Sequence, residues 1–520
     1  MTATRRDALP ALRRARLRRR TAQLDLFEVF YQVYLTALLS GAAVLVLSDM
    51  VGDKPVTGSQ LEAVRQHGPA AVGVLIGFAV LLGCRSGGHG GPLALEPPDV
   101  LHLLLAPLDR TEVLRRPALG KLRSGAGAGL AAGAGIGVVA SHRLPGAAPP
   151  WIVAGALAGL VTGLVCVGAA LVVSGRRVGR RAATAIGFAA LAWPIADLVA
   201  GRTTSPFTAA GEVGMFPLGA PKPLAYLVLG IPALLAAWGL AAIGGLSLEA
   251  ASRRAALVSE LRFAATVRDL RAVLLLRRQL AQEGPRRRPW IRLGPGSGRL
   301  LAVWKRDVQG VLRWPAARIL RALALMAAAG VALHGMWSGT AALLLVAGTA
   351  VWLVALEAVE GFAQERDHPD ATARLPLDGR SLLARHLPAS TAVLLLVMPA
   401  ALAGALATGA TPIAAALAVT AAVPAAACAI VGAVVTTTRG AHLPGTGFMA
   451  DLAPEFSGFS LVFREAIPPA LATAGLIPFV AAHHAATTGG HPVAAAAQSG
   501  VAVLILAAAA LSVLSTWKLT

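Results

Sequence analysis

Few residues in this chain combine the types and spacing that chemistry requires. His483, His484 and His491 cluster near one another, but a wet histidine cluster without carboxylates reads as incidental rather than as a metal site. Cys84, Cys166 and Cys428 each lie inside or beside an apolar stretch, with spacing that excludes a disulfide framework or a cysteine zinc site. Gly294–Arg299 is glycine-rich but lacks the spacing and the lysine of a P-loop, and Gly120-Lys121 has no glycine at the required distance upstream. No Gly-x-Ser-x-Gly nucleophile elbow with a downstream acid and histidine occurs. Asp197, in WPIADLVAG, is an acid inside an apolar run. A carboxylate there is either a proton- or cation-coupling group or one that snorkels to the interface. Glu357, Glu360 and Glu465 sit at the ends of such runs and read as interfacial charges. Direct chemistry by this chain is therefore not expected: no catalytic residue, cofactor or metal set is assigned to it.

The elements that carry these residues are apolar. Of 520 residues, 56% are hydrophobic and 14% charged, with a mean hydropathy of +0.66. Soluble domains carry nearer ~25% charged residues, so several water-facing domains are excluded. A hydrocarbon core needs roughly 20 apolar residues in helix. Twelve runs of about that length occur, near 29–48, 68–84, 124–141, 151–174, 182–201 and 223–246, then 322–338, 340–356, 388–408, 411–435, 466–484 and 493–516. The third, SGAGAGLAAGAGIGVVAS, is mostly Gly and Ala and suits close helix–helix contact more than lipid. Prolines at 194, 232, 399 and 478 fall within runs and mark candidate kinks. The expected fold is all-α: a polytopic membrane protein of about twelve spans.

A net charge of +21 first raises nucleic acid as a partner. Sorting the basic residues by position answers it. With the N-terminus inside, 42 of the 47 Lys and Arg fall on one side of the twelve spans; Lys54, Arg65, Arg143, Arg202 and Lys222 make up the other five. Such asymmetry is the positive-inside pattern of a multi-pass cell-membrane protein with both termini cytoplasmic. The run Arg13–Arg20 then reads as an anchor on anionic inner-leaflet lipid, not as a nucleic-acid arm. The first apolar run is too long for a signal-peptide core and lacks a small-residue cleavage site.

The longest cytoplasmic segment divides the chain into two parallel six-span halves, 1–246 and 300–520, joined by a basic helix and linker, 247–299. In each half the loop after the second span carries similar residues. Pro107, Leu108, Asp109, Leu114 and Arg116 recur 269 residues later as Pro376, Leu377, Asp378, Leu383 and Arg385. The motif is a helix start: Asp109 is a good N-cap and Glu112 completes a capping-box pattern, with Asp378 and Ser381 a weaker version. Each half is expected to present a short amphipathic cytoplasmic helix before its third span, either as a mere lead-in or as a docking helix. Ahead of the seventh span, 300–318 places Val303, Trp304, Val308, Val311 and Leu312 near one helical face, the pattern of an interfacial helix. Ala8–Leu26 is a more basic equivalent. Gly284–Pro289 and Gly294–Gly298 read as linker.

Six spans per half, an interfacial helix before the first, and a Pro-Leu-Asp-Arg-like helix start between spans two and three resemble the ABC-2-type exporter permeases. The resemblance implies that this loop carries a coupling helix that docks on an ABC ATPase. By residue it places docking on Asp99, Pro107, Leu108, Asp109 and Arg110, and on Asp370, Pro376, Leu377, Asp378 and Arg380. Gly379 stands where the first half has Arg110, so Arg380 matches only after a one-residue shift. Half-size permeases dimerise; this chain would be a fused pair, with ATP-Mg held by separate ATPase subunits. The implied function is export driven by ATP hydrolysis in those subunits. Two readings stay beside it: an ion-coupled secondary transporter, with Asp197 the first residue to test, and a non-transporting scaffold that binds a cytoplasmic partner. An Ala-, Gly-, Val- and Leu-lined lumen suits a lipophilic or amphipathic substrate.

Overall fold

The computed structural model describes residues 56–266 apart from 57, 89, 94, 96–99 and 101, then 273, 276, 285–293, 302–367, 379–411, 413–438 and 457–516. Among these residues all regular structure is helical. The N-terminal part comprises α1 (Gly58–Gly88), α2 (Arg110–Ser141), α3 (Ala148–Gly175), α4 (Arg180–Ala200), α5 (Pro206–Gly214), α6 (Pro223–Val228), α7 (Gly230–Ala242) and α8 (Leu248–Thr266). The C-terminal part comprises α9 (Ala302–Val311), α10 (Ala316–Trp337), α11 (Leu343–Ala358), α12 (Glu360–Asp367), α13 (Gly379–Ala407), α14 (Ile413–Thr438), α15 (Ser457–Ala474), α16 (Ile477–Thr487) and α17 (Pro492–Thr516). Helices are what such sequences must form in lipid, where each backbone polar group needs a partner within its own segment.

Nine helical stretches among the described residues are long and apolar enough to cross a membrane, or eleven if two bent pairs each count as one span. The pairs are α11 with α12, bent by 59°, and α15 with α16, bent by 46°. They overlie the second to twelfth apolar runs; the first, 29–48, and the basic arm Arg13–Arg20 lie outside the described residues. Of the four prolines expected to kink spans, Pro194 and Pro399 lie inside continuous helices. Pro232 and Pro478 instead stand at the start of α7 and α16, just after a break. The first turn of a helix has no use for the missing N–H, which explains that placement.

The glycine-rich run forms a close seam. Gly125, Gly129, Gly133 and Gly137 of α2 face Gly163, Gly159, Gly155 and Trp151 of α3, backbone against backbone. Four-residue spacing puts these glycines on one helical face, and the absent side chains let the two helices approach closely, as the composition led us to expect.

In the N-terminal part α1 packs on α3 and α4, while α3 also packs on α2 and α7. In the C-terminal part α11 packs on α14 and α15, while α14 also packs on α13 and α17. Each buried apolar cluster draws on one part alone; the largest includes Met326, Val354, Leu394, Ile430 and Leu476. Contact between the parts includes Arg143, whose guanidinium donates to Thr340 Oγ1 at 2.5 Å and to the Ser338 carbonyl at 3.3 Å. The 285–293 segment is strapped to the α9–α10 junction, with Trp290 Nε1 donating to the Trp314 carbonyl at 2.9 Å.

Candidate functional site

The first candidate docking tip turns on Asp109. Its backbone is extended (φ −65°, ψ 118°) and its Oδ1 accepts the Thr111 N–H at 3.0 Å, an N-cap on α2. Pro107, Asp109, Arg115 and Arg116 are exposed, and Leu108 and Arg110 are half-buried. Beneath them Val113 and Leu114 are buried against Leu104, Leu171, Ile243 and Leu246, so the tip is seated on the ends of α3 and α7 and on α8. On α8, burial holds the Arg254 guanidinium below its ordinary pKa. Asp99 lies outside the described residues.

A short amphipathic helix before the third span was expected here, as a lead-in or as a docking helix; it is continuous with that span in α2, which runs unbroken for 32 residues, about 48 Å at 1.5 Å per residue. Pro117 removes one backbone donor, yet the helix carries through because Leu114, Ala118 and Leu122 are buried along one side. The second tip is less fully described. Asp370, Pro376, Leu377 and Asp378 lie outside the described residues, as does the side chain of Arg380, whose backbone is in the first turn of α13. That helix too runs directly into its span. It begins at Gly379, 269 residues after Arg110 begins α2, the offset of the sequence motif. Leu382 and Leu383 are buried at the places of Val113 and Leu114.

Beside the second tip lies a polar cluster that sequence reasoning missed. Asp307 of α9 turns inward: its Oδ2 lies 2.5 Å from Nδ1 of His386 on α13, which is 1% exposed. His386 Nε2 is buried with no hydrogen-bond partner, and the ring stands edge-on to Phe362, centroids 5.9 Å apart. Gly361 closes over the pair; a Cβ there would meet the Asp307 carboxylate at 2.6 Å. Arg306 pairs with Glu365. Glu357, expected as an interfacial charge, stands in the last turn of α11 and binds Arg318 at 2.5 Å and Arg321 at 2.9 Å, and Arg318 also lies 3.8 Å from Glu360. These ion pairs tie the start of α10 to the α11–α12 bend. The partners are 36 to 79 residues apart, beyond the reach of any local pattern. Glu465 lies among residues whose side chains are not described.

Asp197 is 3% exposed and fully engaged. It accepts from the Thr204 N–H at 3.0 Å, the Thr204 hydroxyl at 2.5 Å and the Ser205 N–H at 2.7 Å. Ser205 in turn caps α5 through Thr208 N–H at 3.0 Å. The chain reverses at Gly201, whose left-handed backbone (φ 61°) ends α4. The carboxylate therefore holds the turn from α4 into α5.

Two cavities open among the helices. One, of about 450 Å³, is lined by α10, α13, α14 and α16, with His334 and Trp337 among its residues. The other, of about 560 Å³, lies between α1, α3, α4, α5 and α7. Among the described residues no group of three or more His, Cys, Asp and Glu is placed to hold a metal ion. His483 packs edge-on to Trp337 at 5.2 Å.

The architecture defines a helical membrane protein with many spans. The chain matches no protein-family model, no curated protein and no solved structure.

Proposed function

We propose that this chain is the permease subunit of an ATP-driven export system of ABC-2-like type, built as two fused six-span halves. The observation that carries the reading is the matched pair of helix starts, Arg110 and Gly379, each following Pro-Leu-Asp at one common offset. Four helix pairings add support: α1–α3, α1–α4, α2–α3 and α3–α7 have counterparts in α11–α14, α11–α15, α13–α14 and α14–α17. An even number of spans between equivalents makes the repeat parallel.

In this reading separate ATPase subunits, carrying ATP-Mg, grip the tips at Asp109 and Asp378. A tip continuous with a 32-residue helix cannot move without moving the span, and the glycine seam obliges α3 to follow. Hydrolysis is thereby converted into alternating access. The basic face rests on anionic inner-leaflet lipid, and the apolar cavities suit a lipophilic or amphipathic cargo. The gradient-driven alternative leaned on Asp197, whose hydrogen bonds give it a structural use instead.

The test is affinity purification in mild detergent. An ATPase subunit should be recovered with the native chain and released by Asp109→Arg combined with Asp378→Arg. Asp109→Asn, which keeps the cap and removes the charge, separates docking from helix stability. Failure to recover any ATPase under conditions that preserve other permease complexes would sink the proposal.

A further inference from the structure

The 560 Å³ cavity in the N-terminal part has an apolar body and a cationic mouth. Its volume lies within the ~300–1,000 Å³ of small-molecule sites. Ile76, Val165, Ala169, Phe207 and Leu235 form its wall, and Arg176 is its one charged lining residue among the described residues. The cavity opens sideways. Ile186 on α4 and Ile231 and Trp238 on α7 line it and are nonetheless 52%, 44% and 50% exposed, and α4 and α7 flank the gap with little packing on each other. An apolar chain can thus enter from the bilayer without crossing water.

Positive charge gathers at the mouth, on Arg176 and on Arg180 and Arg181 close by in sequence. The Arg176 guanidinium lies 5.7 Å from the Trp238 ring centroid. Neither it nor Arg180 or Arg181 has an acidic partner among the described residues, and all three are exposed. Arg177 fixes the loop that carries them: its backbone is left-handed (φ 52°) and its Nε donates to the Gly245 carbonyl at 2.6 Å. A fixed loop spends little entropy on binding.

We propose that this cavity binds one anionic phospholipid, an acyl chain in the apolar chamber and the phosphate on Arg176 and the neighbouring arginines. Charge decides for this occupant over a neutral lipid, and the apolar chamber decides over a free phosphate. The proposed orientation makes its source the cytoplasmic leaflet.

The experiment uses the full chain in nanodiscs with a photoactivatable diazirine on the acyl chain of either phosphatidylglycerol or phosphatidylcholine, followed by peptide mapping. Label from phosphatidylglycerol should fall on α3 and α7 and exceed that from phosphatidylcholine, and Arg176→Gln should lower it about fivefold, as expected for one cation near a membrane surface. Ala169→Trp should remove label from these helices while leaving label elsewhere; Ala210→Leu, a smaller filling, should reduce it if the larger change fails to fold. Equal labelling by both lipids, label unaffected by Arg176→Gln, or no label on α3 and α7 would each overturn the proposal. Inorganic phosphate at millimolar concentration should not compete; if it does, the site is an anion site without a lipid. No ATPase enters this assay, so its failure is separate from failure of the permease reading.

Discussion

The glycine seam between α2 and α3 makes a prediction that can be worked from distances. Alanine at Gly133 would place its Cβ inside the carbonyl oxygen of Gly155, 2.8 Å from that residue's carbonyl carbon and 3.0 Å from Gly159 Cα. All three atoms are backbone, so no rotamer change relieves the clash. Ordinary van der Waals contact begins at 3.4 Å, so the helices must part by about 0.6 Å for the carbon alone. Overpacking of this kind costs about 1–3 kcal/mol. Alanine also gains up to ~1 kcal/mol of helix propensity over glycine, which would blur the measurement of a single variant. Gly127 and Gly120 resolve this, because they lie on the same helix and a Cβ at either meets nothing within 4 Å. The difference between Gly133→Ala and Gly127→Ala cancels the propensity gain and leaves the steric cost. That cost corresponds to a change of about 5- to 150-fold in the folded-to-unfolded ratio. Unfolding by SDS titration from mixed micelles, followed by tryptophan fluorescence, measures it; the chain has nine tryptophans. Equal stability of Gly133→Ala and Gly127→Ala would refute the close approach. Gly155→Ala, whose Cβ would strike Gly133 from the opposite side, should match Gly133→Ala.

Asp307→Ala leaves both nitrogens of the buried His386 without a partner and should cost about 1–3 kcal/mol in the same titration. Asp307→Ala with His386→Phe, which removes both polar partners, should recover part of that loss; native stability of Asp307→Ala would contradict the pairing. Sidedness is checked with cysteines at the exposed positions Ala147 and Arg288, against native Cys84 and Cys428 that are buried. An impermeant maleimide should label Ala147→Cys in intact cells and Arg288→Cys only after permeabilisation; labelling of both from outside would break the orientation.

What could be read in the sequence was what local physics decides. Lipid demands long uncharged helices, so α3 and α14 follow from composition alone. Capping is a three-residue affair, so the Asp109 turn was legible, and so was the matching start of α13. Close helix contact was legible from the small residues of α2, although its partner was not. The breaks were less legible. Pro478 suggested a kink inside a span, whereas the break falls ahead of it, where Gly475 and Leu476 leave the helix between α15 and α16. Pairings across long separations carried no local sign at all. Arg318 with Glu357, Asp307 with His386 and Arg143 with Thr340 are products of packing. The cavity mouth is a similar case: Arg176 counted in the sequence only as one more inside charge, and it acquires a particular use from Trp238, 62 residues further on.

Under the permease proposal, the common offset distinguishes the two tips at one position. The common offset aligns Val113 and Leu114 with Leu382 and Leu383, and each pair is buried, so both tips are anchored by the same apolar turn. It aligns exposed Pro117 with buried His386. At that position the first tip faces outward, while the second reaches across to Asp307 on α9. In the permease reading, force applied to the first tip passes into the apolar contacts with α3, α7 and α8. At the second it passes as well through a hydrogen-bonded carboxylate to the amphipathic helix α9, and α9 is linked by Arg306 and Glu365 to α12. Apolar contacts tolerate small slips, whereas a buried hydrogen-bonded pair is directional and costly to break. In that reading the second tip transmits through a directional pair as well as through its apolar contacts.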